Sequence, residues 1–501
     1  MSVAILRSRA QIGTDAPPVT IEVFLSGGLP VFSIVGMPET SVRESKDRVR
    51  AAILSSGFKF PQERITVSLG PADMRKTGGR FDLAIALGIL ASSKQFPEGA
   101  VGNYEFFGEL ALNGDIRCVP GVLPAALKAR AAGKQLIVPT DNGAEALLAK
   151  ATVFAADTLL QVTAHLRNLE PMVALSRVEP LAGVVQAPDL CDVKGQAQPK
   201  RALEVAAAGG HNLLFVGPPG TGKSMLAARL PGILPPMTEA EAIETAAIDS
   251  VLGRPLNLAR WRCRPFRSPH HTASAAALVG GGSDPNPGEV SRAHNGVLFL
   301  DELPQFNRNV LEVLREPLEA GVVTISRAGR QADFPARFQL IAAMNPCPCG
   351  YLGDLDGDCG CSAERVANYR SKISGPLLDR IDMHVEVGRP PRALLRRSAP
   401  DGEKSADVMA RVVAARRLQI KRAGVCNARL QGKDLARDCE LDESGWQLLD
   451  NAADKFALSV RSYQRILRVA RTIADLAGEQ TITPPHIAEA MSLRGLRRRN
   501  R

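Results

Sequence analysis

Two stretches near the N-terminus, "VTIEVFLS" (19–26) and "RITVSLG" (64–70), alternate apolar and polar residues with the period of two expected of a strand that buries one face. Between them "SVRESKDRVRAAILSSG" (41–57) spaces its apolar residues along one helix face and closes on glycine, predicting an amphipathic helix. Residues 1–165 therefore read as a mixed α/β domain. From 166 to 188, "LRNLEPMVALSRVEPLAGVVQAP" scatters prolines through a stretch without a sustained period, which predicts a linker. The pattern then changes to continuous apolar runs, "NLLFVG", "GVLFLDE" and "FQLIAAMN", each ending in polar or glycine residues. A strand apolar on both sides needs cover on both faces, so residues 189–395 predict a parallel sheet flanked by helices. Beyond 396 the chain is rich in Arg, Ala, Leu and Glu at helical spacing, as in "RSYQRILRVARTIADLAG" (461–478), and predicts a helical domain over 396–501.

Composition narrows this picture modestly. With 501 residues the chain is too long for one core, and 45% hydrophobic with 23% charged residues is ordinary for a soluble globular protein. The opening "MSVAILRSRAQIG" is too short and polar for a secretion signal, and no apolar run could span a bilayer, so the expected location is cytoplasmic with no membrane partner. A net charge of +10, from 62 basic and 52 acidic residues, favours a polyanionic partner. Part of that excess lies in "RGLRRRNR" (494–501), which reads as a disordered terminus. Nine cysteines are too sparse for a disulfide scaffold, but Cys347, Cys349, Cys359 and Cys361 cluster in "CPCGYLGDLDGDCGC". Four thiolates suit tetrahedral Zn²⁺, and the glycines permit the turns. Cys-x-Cys is tighter than the usual Cys-x₂-Cys knuckle, so free thiols in a loop remain the alternative, with a disulfide last.

The strongest chemical signal is "GPPGTGKS" (217–224), set between an apolar strand and a helix start. Such a loop cradles phosphates: Gly217, Gly220, Thr221 and Gly222 let backbone N–H groups curl around the anion, and Lys223 reaches the β- and γ-phosphates of ATP. Ser224 is the expected Mg²⁺ ligand. The strand in "NGVLFLDEL" ends in Asp301 and Glu302 at the sheet edge where such folds bind ligands. Asp301 is placed to hold Mg²⁺ through water, and Glu302 to polarise the attacking water. Asn345, at the tip of another apolar strand, suits orientation of that water. His270 and His271 in "SPHH" lack partners at ligand spacing and are expected to be loop or pore residues.

In this order, the two Walker motifs, the polar sensor, Arg380 before a strand ("SGPLLDRIDMHVEV") and a helical region carrying Arg461 ("SVRSYQRIL") resemble an AAA+ ATPase core with a helical lid. The resemblance implies that Arg380 is an arginine finger serving the neighbouring subunit, that Arg461 is sensor 2, with Arg465 and Arg468 as nearby alternatives, and that the chain works as a ring. An insertion, "RPFRSPHHTASAAALVGGGSDPNPGEVSRAHNG", and a hairpin around "RAGRQ" are similar to the branch holding magnesium chelatase and the MCM helicases. In that branch the hairpin faces the ring pore, which makes Arg327 and Arg330 candidate contacts to a DNA backbone, without base readout.

Taken together, "GQAQPKRALEVAAAGGHNLLFVGPPGTGKS", "NGVLFLDELPQF", "NPCPCGY" and "SGPLLDRID" resemble the bacterial ComM/YifB family of magnesium-chelatase-like ATPases, from the first residues to about 495. That family implies an ATP-driven hexameric helicase on single-stranded and branched DNA, promoting branch migration during natural transformation beside recombination proteins. A remodelling ATPase acting on a protein partner is the second expectation. The segment 106–142 resembles the proteolytic domain of Lon, but the position of its catalytic lysine falls on Leu123, with Lys128 five residues away. The stretch matching its serine motif, "KTGGRFDLAIALGIL" (76–90), has no serine. A Ser-Lys dyad needs both groups, so a Lon-like α/β fold without peptidase activity is expected.

Overall fold

The computed structural model describes residues 2–176, 187–282, 285–327, 330–354, 357–391 and 402–495. The chain forms two compact units, the first built from residues 1–181, 239–261 and 326–334, the second from 182–238, 262–325 and 335–501. The central part of the 166–188 linker and the tail beyond 495 lie outside the described residues.

In the first unit, strands Pro18–Ser26 and Arg64–Gly70 form where alternation predicts them, and bury Val19, Ile21, Val23, Ile65, Val67 and Leu69 on one face. They belong to a four-stranded sheet with Ser2–Arg9 at one edge, paired antiparallel with Pro18–Ser26. That edge strand is absent from the pattern reading because Val3 and Ile5 are exposed while Ala4, Leu6 and Ser8 point inward, so both faces carry apolar residues. The predicted helix over 41–57 is two pieces, Thr40–Arg43 and Ser45–Ser55. Every residue of helix Asp82–Ser92 is buried. It lies so close to the sheet that a Cβ on Gly88 would come 2.5 Å from Val23 Cγ2. The buried Asp82 carboxylate at its start is held by the Ser45 hydroxyl, by Arg48 Nε at 2.7 Å and by the Leu110 N–H at 3.3 Å. Beyond it lies a three-stranded parallel sheet, Tyr104–Phe106, Gln135–Pro139 and Val153–Ala156.

The second unit is organised around five strands in the order Phe266–Arg267, Val297–Leu300, Gln339–Met344, Leu213–Val216, Met383–Glu386. All four pairings are parallel, as continuous apolar strands require. Asn212, just before Leu213, ties three strands in register. Its Oδ1 accepts from Leu340 N–H at 2.8 Å, its Nδ2 donates to the Arg380 carbonyl at 2.9 Å, and its carbonyl accepts from Asp382 and Met383 N–H, each at 3.1 Å.

Helices Ser405–Ala423, Gly432–Asp438, Glu443–Phe456, Val460–Ala477 and Pro484–Leu493 follow. Helix Val460–Ala477 packs its apolar face on Pro484–Leu493 and on Ala197–Gly209. Its inner face also carries a polar network: Asp475 is bonded by Arg422, Arg471 and Asn427, and Thr472 meets the fully buried His211 at 2.7 Å. Among the described residues, no helix is long and apolar enough to cross a membrane.

His384, in the last strand of the sheet, is half-buried, with its Nε2 shielded from solvent and lacking a hydrogen-bond partner. Burial pushes its pKa down to about 4, and the nearby Arg494 guanidinium adds to the shift. The unfolded chain therefore binds a proton that the folded one refuses between pH 6.5 and 4, so stability falls as pH falls through this window. The shift corresponds to about 3 kcal/mol. Chemical denaturation between pH 7 and 4 should show this loss, and His384→Phe should flatten it.

Candidate functional site

The phosphate-binding loop leaves the carboxyl end of the interior strand Leu213–Val216, fourth in the sheet, and the chain then crosses to the far edge of the sheet at Phe266–Arg267. Such a reversal opens a crevice at the strand ends. Gly220 and Gly222 adopt φ of +77° and +90°, which turn the backbone N–H groups inward. At Gly217 the loop passes so close to the last strand that a Cβ would lie 2.1 Å from the Val387 carbonyl oxygen. Thr221 closes the turn by donating its hydroxyl to the Pro218 carbonyl at 2.9 Å.

Lys223 begins the following helix, Lys223–Ala227. Its ammonium, buried with the rest of the side chain, donates to the Gly217 and Pro218 carbonyls at 2.7 Å each and to Asn345 Oδ1 at 3.1 Å. Burial lowers its pKa, opposed by the charges of Asp301 and Glu302. Ser224 donates its hydroxyl to Asp301 Oδ2 at 2.5 Å. The predicted Mg²⁺ pair is thus in direct contact, and the predicted sensor touches the predicted phosphate lysine. Glu302 has φ +52°, an uncommon conformation for a residue with a side chain, and its N–H donates to Asp301 Oδ1 at 2.9 Å. Its half-exposed carboxylate lies 3.6 Å from Nδ1 of His271, so the histidine pair expected to be loop or pore residues borders the glutamate predicted to polarise water. His270 stacks on His271 with ring centroids 4.1 Å apart.

Arg380 and Arg461 lie elsewhere in this unit. The Arg380 guanidinium is almost buried, bonded to Glu319 at 2.5 Å and to the Pro376 carbonyl at 2.7 Å. Arg461 is exposed, 3.9 Å from the same glutamate. Of the alternatives, Arg465 pairs with the buried Asp382 at 3.2 Å, and Arg468 donates to the Leu430 carbonyl at 2.8 Å. Although burial opposes its charge, His211 and Arg465 hold the Asp382 carboxyl below the ordinary range. These interior ties leave Arg461 the exposed one of the three. Neither Glu319 nor His271 carries a sequence signal, because each is defined only by a partner far along the chain.

The hairpin around "RAGRQ" consists of strands Val322–Arg327 and Arg330–Pro335. Its tip residues 328–329 and the side chains of Arg327 and Arg330 lie outside the described residues.

The four clustered cysteines begin two residues after Asn345. Their Sγ atoms all lie within 4.8 Å of one another, and Cys347, Cys349 and Cys359 are separated by 3.4, 3.7 and 3.6 Å. A tetrahedron of sulfurs about 2.3 Å from zinc has edges of roughly 3.8 Å, so the thiols fit that ion far better than a bond of about 2.05 Å between two sulfurs. The loop touches the nucleotide site: a Cβ on Gly350, at φ +88°, would lie 2.7 Å from Pro219 Cδ.

In the first unit, Leu123 is fully buried in helix Val122–Ala131, and Lys128 is exposed in an ion pair with Asp15 at 2.8 Å. Lys76 is buried with its ammonium on the Pro71 carbonyl. No lysine of this unit among the described residues is paired with a serine hydroxyl.

Residues 189–394 match the family described as magnesium chelatase, subunit ChlI; residues 21–142 match subunit ChlI of Mg-chelatase; and residues 402–494 match its C-terminal part. The competence protein ComM of Haemophilus influenzae is 50% identical over 99% of this chain and 98% of its own length. A protein named YifB from Salmonella typhimurium is 49% identical over the same shares. The magnesium-chelatase 38 kDa subunit of Cereibacter sphaeroides is 24% identical over 60% of this chain and 89% of its own length.

Glu302→Gln should leave nucleotide binding near wild type and slow hydrolysis by about 10²- to 10⁴-fold, the usual contribution of a positioned base. Equilibrium binding of a fluorescent ATP analogue, read beside steady-state phosphate release, separates the two effects.

Proposed function

Because the chain belongs to the ComM/YifB family of magnesium-chelatase-like AAA+ ATPases, we propose that it is an ATP-driven ring motor on DNA, a hexameric helicase that promotes branch migration of recombination intermediates in natural transformation. The observation that carries the reading is the pre-assembled nucleotide site, in which Lys223 already meets Asn345 and Ser224 already meets Asp301. Gly217, Gly220, Thr221 and Gly222 surround the ATP phosphates, Ser224 and Asp301 hold Mg²⁺, and Glu302 with Asn345 aligns the water. Arg380 completes the site of the neighbouring subunit, and Arg461 acts as sensor 2.

The DNA part of the proposal rests on three supports: the position of Arg327 at the end of one hairpin strand and of Arg330 at the start of the next, the net charge of +10, and the name competence protein carried by the relative of 50% identity. Contacts from such a hairpin go to phosphates, so binding is independent of sequence and falls steeply with salt. Single-stranded and branched DNA are the substrates, recombination proteins the working partners, and the cytoplasm the location. The first unit is a Lon-like fold without peptidase activity, which the burial of Leu123 and the pairing of Lys128 with Asp15 support. A second reading, a remodelling ATPase acting on a protein partner, draws on the similarity to the magnesium-chelatase 38 kDa subunit.

Cys347, Cys349, Cys359 and Cys361 hold one structural Zn²⁺, which staples the loop after Asn345. The metal takes no part in hydrolysis.

A forked or four-way DNA substrate should be unwound by wild type, not at all by Lys223→Ala, and several-fold more slowly by Arg327→Ala. Full unwinding by Arg327→Ala would remove the hairpin from the mechanism, and an ATPase rate that ignores DNA but answers to a protein partner would favour the second reading. Elemental analysis should find one zinc per chain, lost in Cys359→Ser; metal-free protein with full activity would refute the staple.

A further inference from the structure

Arg380 and Arg461 are far apart in sequence and are assigned to different roles, yet both guanidinium groups face one carboxylate. Glu319 Oε1 lies 2.5 Å from Arg380 Nη2 and 3.9 Å from Arg461 Nη2. The Arg380 side chain is only 9% exposed, and its buried Nε has no hydrogen-bond partner. A guanidinium withdrawn this far from water depends on the partners it keeps, here Glu319 and the Pro376 carbonyl. Glu319 itself is 55% exposed, so this tie is held in a partly aqueous setting and can be exchanged.

Glu319 lies beside the root of the hairpin. Glu319 sits in the last turn of helix Arg315–Ala320, and Gly321 ends that helix in the left-handed region at φ +69°. Gly321 donates its N–H to the Pro317 carbonyl at 2.9 Å, and its own carbonyl accepts from Ala336 N–H at 2.8 Å. The outgoing strand begins at Val322 and the returning strand ends at Pro335, so both feet of the hairpin are fastened at the residue two places after Glu319. A Cβ on Gly321 would come within 2.9 Å of Arg337 Cγ, which leaves this junction little play. Glu319, Arg380, Val323 and Thr324 line one open groove of approximately 680 Å³.

We infer that Glu319 is a positioning residue that links the hairpin to the two arginines. Load on the hairpin from bound nucleic acid shifts the helix end, the shared carboxylate moves with it, and Arg380 is re-aimed toward the nucleotide of the neighbouring subunit while Arg461 shifts beside it. An ordinary surface ion pair would neither gather two guanidinium groups nor sit at the foot of the hairpin. The inference rests on the DNA-motor reading, since it concerns how DNA contact reaches the ATP site.

The test uses the full chain, a single-stranded thymidine oligonucleotide, ATP turnover with and without that DNA, and fluorescence anisotropy for DNA affinity at fixed salt. Glu319→Gln, which keeps the shape and removes the charge, should lower the DNA-stimulated to basal ATPase ratio by about fivefold, the scale of a half-exposed ion pair. DNA affinity should change by less than about twofold, because no phosphate contact is removed. Glu319→Asp should restore part of the ratio, which a merely structural role would not require. A wild-type ratio in Glu319→Gln overturns the inference, as does a loss of DNA affinity that accounts for the lower ratio. If wild type shows no stimulation by DNA, the DNA-motor reading fails first and the inference with it; if wild type is stimulated and Glu319→Gln is equally so, only the inference fails.

Discussion

The second unit depends on the register that Asn212 imposes. One residue before strand Leu213–Val216, it bonds strand Gln339–Met344 through Leu340 and the last strand through Arg380, Asp382 and Met383. A parallel sheet sets the height of its strand ends only as well as its register is set, and a slip by one residue would exchange the two faces of a strand. With the strands locked, the Gly217 loop, Asp301 and Asn345 finish at one level. Arg380 is placed by the same asparagine, through its carbonyl, so the glycine-rich loop and the arginine proposed to serve a neighbour share one anchor.

Within that frame the site is already organised by its own charges. The Lys223 ammonium is hydrogen-bonded by carbonyl and amide oxygens rather than by a carboxylate, although Asp301 and Glu302 are near enough to influence it. A buried cation held by neutral groups leaves its full charge available to an incoming phosphate. Asp301 meanwhile holds the Ser224 hydroxyl and the Glu302 N–H, which fixes the backbone that turns Glu302 toward the crevice. The uncommon φ of Glu302 is borne by this bonding and by the buried strand before it.

The cysteine loop and the helical region act on the same centre from outside. Gly350 brings the cysteine loop against Pro219 of the phosphate-binding loop, so four thiols held together restrain Asn345 and the loop it faces at once. On the other side, Asp475, Arg422, Arg471 and Asn427 join the helices to one another, while His211, Arg465 and Asp382 carry the link into the sheet. Buried polar groups of this kind are costly when partly satisfied and specific when paired, which suits an interface that must keep one arrangement.

Much of the nucleotide site was legible in the chain itself, because local spacing dictates it. A glycine-rich run between an apolar strand and a helix, an acidic pair at a strand end and an asparagine at the tip of the next strand each carry their meaning within about ten residues. Continuous apolar strands likewise announced a parallel sheet, and two Cys-x-Cys pairs announced their own proximity. What the spacing could not contain was any relation between distant segments. The edge strand Ser2–Arg9 escaped because it is apolar on both faces, and the helix over 41–57 divides at Glu44, a break its pattern does not mark. His271 beside Glu302, Glu319 beneath Arg380 and Arg461, and Asn212 across three strands exist only once the chain is folded. The sequence by itself determined which groups could do phosphate chemistry; the tertiary structure decided which groups restrain them, because hydrogen bonds and ion pairs act over a few ångströms of space and not over a span of chain.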